Sequence, residues 1–188
     1  MRGFELGAAI ITERLRLRPF TADDLPALLA MQSDPEVTRY LYWDVRSEPQ
    51  VRTALEKKIA ATAIHADGDV LAAAAELLAT GELVADLVLH LVSGEHRTAE
   101  IGFIVPPAHQ RRGYATEAAR AVLRIAFDEL GLHRVIGRLE ARNTASARVL
   151  EKLRMRREAH LVENEFVKGE WQSELIYAIL DREWHQAP

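Results

Sequence analysis

The chain has 188 residues, 24 Lys and Arg against 28 Asp and Glu for a formal net charge of −4, 48% hydrophobic residues and no cysteine. A length within the ~100–200 residues of an ordinary domain predicts one domain over 1–188, large enough to fold without disulfide or metal staples. Zero Cys excludes a disulfide framework, a thiolate metal site and a cysteine nucleophile, and the acid excess speaks against nucleic acid as a partner.

The N-terminus lacks the apolar run and small-residue cleavage site of a targeting signal. Further along, the greasy stretch Val70–Val92 is broken by Glu76, Glu82, Asp86 and His90, so no membrane span is expected and the protein reads as cytoplasmic. Thr12 to Arg18 alternates polar and apolar residues, with Leu15 and Leu17 on one face, and predicts a strand stopped by Pro19. Thr21 with Asp24 resembles a capping box, opening a helix that carries Leu25, Leu28 and Leu29. Ser47-Glu48-Pro49 starts a second helix, expected to run to about His65.

Val70 to Ala79 is ambiguous. Its alanines favour helix on propensity, but flanking Asp-Gly-Asp and Thr-Gly-Glu turns favour a strand, and strand is our reading. Leu83–Val92 and Thr98–Val105 complete an antiparallel meander. Thr116–Leu130 has apolar residues at helical spacing, with Gly131 placed as a left-handed cap. A strand over Arg134–Ala141, a short helix capped by Asn143 or Thr144, and a hairpin of Met155–Phe166 with Trp171–Leu180 close the chain. The expected class is α+β, with one central sheet.

One junction stands out chemically. Gln110-Arg111-Arg112-Gly113-Tyr114-Ala115 lies between a strand ending at Pro106-Pro107 and the long helix beginning near Thr116. Free backbone N–H groups, the positive end of a helix dipole, a permissive glycine and two arginines suit a phosphate. It is neither a Walker loop nor a dinucleotide Gly-x-Gly-x-x-Gly fingerprint.

Gln110-x-x-Gly113-x-Ala115 resembles the coenzyme-A pyrophosphate loop of the GNAT N-acetyltransferases. Thr12–Arg18, Glu100-Ile-Gly-Phe103, Tyr114–Ala118 and Asn143–Ser146 with Val149–Leu153 resemble the RimJ/RimL-like branch of that superfamily in the same order. The resemblance spans essentially the whole chain. It implies the GNAT acyl-CoA N-acyltransferase fold, a mostly antiparallel mixed sheet flanked by helices. It also implies direct acetyl transfer from acetyl-coenzyme A to a primary amine, either a protein N-terminal α-amine or a small molecule, with no metal and no enzyme nucleophile.

By the same resemblance, Gln110, Arg111, Arg112, Gly113, Tyr114, Ala115 and Thr116 hold the pyrophosphate. Backbone groups of Phe103, Ile104 and Val105 meet pantetheine and the thioester, and Asn143 meets the pantetheine arm. Ser146 then faces the sulfur and can serve the leaving thiolate, although Asn and Ser at a helix start also serve capping alone. Glu165, beside Phe166, resembles the glutamate that some relatives place near the amine; an ordinary exposed hairpin glutamate is the other reading. Trp43 and Asp44 are the substrate-side candidates, an aromatic face and a carboxylate for a cationic amine, while packing beneath the helices equally explains the cluster of Tyr40, Tyr42 and Trp43.

Relatives end the fourth helix in Lys-Leu-Gly-Phe; here it reads Lys152-Leu153-Arg154-Met155, and losing glycine at a left-handed cap should cost on the order of 1 kcal/mol. A homodimer is expected, with Trp184 as a possible contact. The competing readings are a non-catalytic coenzyme-A-binding sensor and an interaction module on the same fold.

Overall fold

A computed structural model describes residues 2–186. Two short strands, β1 (Phe4–Glu5) and β2 (Ile10–Ile11), lead into β3 (Leu15–Arg18). Leu15 and Leu17 point into the core, as the alternation predicts. The Thr21 N–H donates to Asp24 Oδ2 at 2.8 Å, and α1 (Leu25–Gln32) follows through a turn of 3-10 helix. Asp24 also grips Arg18 through two hydrogen bonds of 2.8 Å, so the capping carboxylate doubles as the anchor of β3.

A short α2 (Pro35–Thr38) precedes α3 (Glu48–Ala60), whose Ser47 N–H is capped by Gln50 Oε1 at 2.8 Å. That helix stops five residues short of the sequence expectation. The Ala61 carbonyl accepts from Ala72 N–H at 2.7 Å and the Thr62 carbonyl from Leu6 N–H at 2.9 Å. Ala63–Ile64 then forms β4 against β1. Tertiary pairing here overrides the helix preference of an alanine-rich run.

The meander forms as β5 (Val70–Leu77), β6 (Leu83–Ser93) and β7 (Thr98–Ile104). Next comes α4 (Tyr114–Arg124), starting two residues earlier than expected and closing in a single π turn over Ile125–Glu129 before Gly131 at φ 67°. Strand β8 (Arg134–Glu140), α5 (Thr144–Lys152), β9 (Arg156–Val167), β10 (Glu170–Leu180) and α6 (Asp181–His185) complete the chain. Trp184 stacks on Phe127 with ring centroids 5.8 Å apart, so its aromatic face is used within the chain.

The main sheet has eight strands in the order β2-β3-β5-β6-β7-β8-β10-β9. Among the described residues only β7 and β8 pair in parallel, and only over Thr98–Glu100 with Arg134–Ile136. Beyond that, β7 stays paired with β6 as far as Ile104, while β8 stays paired with β10 through Glu140. Two adjacent strands, each held by its outer neighbour, therefore diverge from Ile101 and Gly137 onward. The wedge between them exposes strand-edge backbone groups that have no ladder partner.

Apolar side chains cover both sheet faces. On one, Leu87, Leu89 and Ile101 pack with Val122, Phe127 and Leu150 beneath α4 and α5. On the other, Ala72, Ala74 and Val88 meet Leu28, Met31, Val51 and Leu55 of α1 and α3. A Cβ on Gly137 would lie 2.8 Å from Leu150 Cδ1, so the bare glycine lets α5 dock closely on β8.

Candidate active site

Two clefts open on either side of the wedge. The outer one, about 520 Å³, is lined by the loop of residues 105–116, the start of α5 and the segment after α2. The inner one, about 350 Å³, lies on the sheet face below α1 and α3. Tyr40, Leu41, Phe103, Ile104, Asn143 and Ser146 line both, so the clefts meet at the divergence of β7 and β8.

The outer cleft is built for an anion. Gly113 has φ 85°, a conformation that favours glycine, and stands at the N-cap of α4. The first backbone bond of that helix runs from Glu117 N–H to Gly113 C=O at 3.0 Å. The N–H groups of Tyr114, Ala115 and Thr116 thus have no intrahelical partner and point out of the helix end, with the helix dipole behind them. Gln110 folds its amide back to donate to the Val105 carbonyl at 3.0 Å, pinning the loop to the end of β7. Four cations, Arg39, Arg111, Arg148 and Lys152, line this cleft against one carboxylate, Glu36. The local field is positive although the chain as a whole is acidic.

The loop is also latched from below. Glu117 accepts from Thr12 Oγ1 at 2.6 Å, Arg14 N–H at 2.8 Å and Arg14 Nε at 2.7 Å, while Arg14 Nη1 donates to the Arg112 carbonyl at 3.0 Å. Burial pushes the Glu117 carboxyl up, but these donors outweigh it and hold the group below the ordinary glutamate range.

Sequence-expected residues fall in three groups. Phe103, Ile104, Val105, Gln110, Arg111, Gly113, Tyr114, Ala115, Thr116, Asn143 and Ser146 all line the outer cleft. Arg112 does not; its side chain is exposed and its carbonyl receives Arg14. At the start of α5, Asn143 Oδ1 accepts from Ser146 N–H at 3.0 Å, so Asn143 is a helix cap as well as a cleft residue. Trp43 lines the inner cleft, whereas neighbouring Asp44 is exposed and outside its lining. Glu165 stands on β9, outside the lining of both clefts, with Oε1 at 3.3 Å from Arg138 Nη2.

The inner cleft brings in residues that the sequence reading did not single out as site residues. Asp86 is 3% exposed, with Oδ1 bonded to Lys58 Nζ at 2.8 Å and Oδ2 lacking any partner among the described residues. Burial pushes its pKa up, against the pull of Lys58 and Arg46. Glu100 is half-buried, and burial raises its pKa too. Arg138 and Tyr42 converge on Glu174, with Arg138 Nε and Nη2 each at 2.9 Å and the Tyr42 hydroxyl at 2.7 Å. In the sequence, acidic Asp86 at an inward position of the apolar run Leu83–Val92 was the available signal. A charge on the buried face of a strand requires a partner.

A family profile for the acetyltransferase (GNAT) domain matches residues 14–156. The uncharacterized N-acetyltransferase YnaD of Bacillus subtilis (strain 168) is 34% identical over 177 residues, covering 94% of this chain and 99% of that protein. The crystal structure of an acetyltransferase (GNAT family) from Bacillus anthracis superposes with a TM-score of 0.84 at 36% identity, covering 94% of this chain and 100% of that one. A spermidine N-acetyltransferase from Vibrio cholerae, solved in complex with CoA and spermine, shares the fold at a TM-score of 0.79 and 23% identity, over 93% and 100% of the two chains. The parted strands, the glycine loop at the head of α4 and a family match over most of the sequence converge, and the chain belongs to the GNAT family as an acyltransferase enzyme, an N-acetyltransferase.

Proposed function

We propose that the protein uses acetyl-coenzyme A held in the outer cleft and acetylates a primary amine that enters through the inner one, as a RimJ/RimL-like N-acetyltransferase acting as one domain. The observation that carries this reading is the junction itself. A cationic cleft headed by a helix N-terminus meets an acid-bearing cleft where β7 and β8 part. The unpaired N–H groups of Tyr114, Ala115 and Thr116, with Arg111, suit a pyrophosphate. The free edge of β7 at Phe103 and Ile104 suits the amide groups of a pantetheine arm, which can pair with it as a strand would. Acetyl-coenzyme A, when bound, supplies the thioester-activated acetyl group.

The chain's own residues then have three tasks. Glu100, whose carboxyl is raised by burial and which makes no ion pair within 4.0 Å among the described residues, takes the proton from the acceptor ammonium. Ser146 offers a hydroxyl at the junction of the two clefts, where it serves the leaving thiolate. Trp43 and Tyr40 wall the acceptor side and keep water out. Glu165 acts from outside, bracing Arg138.

The loop assignment has a direct test. Acetyl-coenzyme A should raise the melting temperature of the protein, and Gly113→Val should abolish that shift. A Cβ at Gly113 would sit 3.2 Å from Arg14 Nη2 on a backbone that side chains rarely adopt. A shift that persists in a folded variant would remove the loop from the binding site.

A further inference from the structure

Five charged side chains line the inner cleft: Arg46, Lys58, Asp86, Glu100 and Arg138. Three of them are neutralised within the protein, Lys58 by Asp86 and Arg138 by Glu174. Arg46 and Glu100 are not, since neither has an ion-pair partner within 4.0 Å among the described residues.

Arg46 is firmly built in. Its backbone N–H donates to the Gln32 carbonyl at 3.0 Å, its Nη1 donates to Gln32 Oε1 at 2.8 Å, and its guanidinium lies over the Trp43 ring at 3.9 Å. Gln32 itself is 1% exposed, so the platform is rigid. Burial pulls the Arg46 pKa down, the mark of a cation lacking full compensation. This partly desolvated guanidinium engages a side chain through Nη1 among the described residues, and its Nε–Nη2 edge is left to meet a carboxylate in two-point contact.

Glu100 rises from the sheet floor, whereas Arg46 comes from the segment before α3 and lies near Asp86. Glu100 faces His90 across the β6–β7 ladder and Ile104 faces Asp86, so Glu100 and Asp86 share a sheet face four residues apart, about 13 Å along the strands. Gly102, between them, carries no side chain and leaves that floor clear; a Cβ there would meet Val88 Cγ2 at 2.9 Å. The Asp86 end holds two cations, Lys58 and Arg46, against one carboxylate, and is net positive. The Glu100 end offers the free acid.

We infer that the acceptor is an amino acid whose amine and carboxylate stand several bonds apart, its ammonium held at Glu100 and its carboxylate at Arg46. This rests on the acetyl-transfer reading of the same site and names its substrate class. A polyamine such as the one in the Vibrio cholerae complex would bring a second cation to the Arg46–Lys58 end, where it is repelled. In a protein N-terminus the carboxyl of the first residue is tied into a peptide bond and brings no charge to Arg46.

The test is thiol release from acetyl-coenzyme A with free α-amino acids, β-alanine and γ-aminobutyrate, each against its methyl ester, and with spermidine. In the wild-type protein β-alanine or γ-aminobutyrate should exceed its ester in kcat/KM by about tenfold or more and should exceed the α-amino acids, with spermidine no better than the esters. Arg46→Gln should bring that acid down to the level of its ester through KM, and Arg46→Lys should restore part of the difference. Esters, spermidine or α-amino acids equal to or better than both β-alanine and γ-aminobutyrate in the wild type would overturn the inference while leaving acetyl transfer standing. No release with any acceptor would overturn the acetyl-transfer reading, and this inference with it. The wild-type comparison decides the matter even where a variant fails to fold.

Discussion

Arg14 and Glu117, more than a hundred residues apart in sequence, close on each other with Arg14 Nη2 2.6 Å and Nε 2.7 Å from Glu117 Oε2. The pair ties β3 to the first turn of α4, and through the Arg112 carbonyl it also fixes the glycine loop. The backbone donors of that loop are thereby held ready, before any ligand contributes binding energy.

Glu117→Gln keeps the size of the side chain and removes its charge. Because the folded carboxyl is held below its ordinary range, its stabilisation is fully present above the unfolded pKa of about 4.3 and is lost as pH falls through the folded value. The substitution should lower stability at neutral pH by about 1–2 kcal/mol, the partial exposure of Arg14 keeping the loss modest. Urea titrations at pH 7 and pH 3 check this: the difference between wild type and variant should be full at pH 7 and smaller at pH 3. A difference that does not shrink with acid would remove the charge from the latch.

The buried pair of Lys58 and Asp86 should respond asymmetrically. Lys58→Met leaves a carboxylate at 3% exposure without its cation and should destabilise the fold by about 3–5 kcal/mol. Replacing both partners, as in Lys58→Met with Asp86→Leu, should recover most of that loss. The folded Asp86 pKa is raised, so the single variant should gain stability as pH falls from 7 toward the unfolded carboxylate value, where protonation relieves the buried charge. Chemical denaturation of the three proteins decides it, and a double variant as weak as the single one would contradict this account.

Arg154 has φ 63°, in the region that favours glycine, where the chain leaves α5. Arg154→Gly should stabilise the protein by about 1 kcal/mol, seen as a rise in melting temperature with turnover unchanged. A lower melting temperature would mean that the arginine side chain contributes more than its backbone strain costs.

The parts of this molecule that were legible in the sequence are local. The Thr21 and Ser47 caps, the glycine turns of the meander and the junction at Gly113 each announce themselves within a few residues. Each forms where expected. Strand β5 is ambiguous in sequence because Ala72–Ala75 favours helix by propensity while the flanking glycine turns favour a strand, and pairing with β3 and β6 on both edges settles it. The end of α3 was misplaced because nothing near Ala61 marks a stop; the contacts that end the helix come from Leu6 and Ala72. The outer cleft was likewise readable from one contiguous loop. Arg46, Lys58, Asp86, Glu100 and Arg138 come from one loop and four separate elements, and it is the registers of β6, β7 and β8 with the docking of α1 and α3 that bring them together.

Acid–base catalysis at Glu100 carries the proposed mechanism, so its most direct test is the pH dependence of kcat/KM for thiol release from acetyl-coenzyme A with an accepted amine. The wild type should lose activity on the acid side with a pKa above the ordinary glutamate range, as burial of Glu100 requires. In Glu100→Gln that limb should vanish and the rate should fall about 100-fold or more, while Ser146→Ala should lower kcat and keep the limb. An acid limb that survives unchanged in Glu100→Gln, at an undiminished rate, would contradict the account.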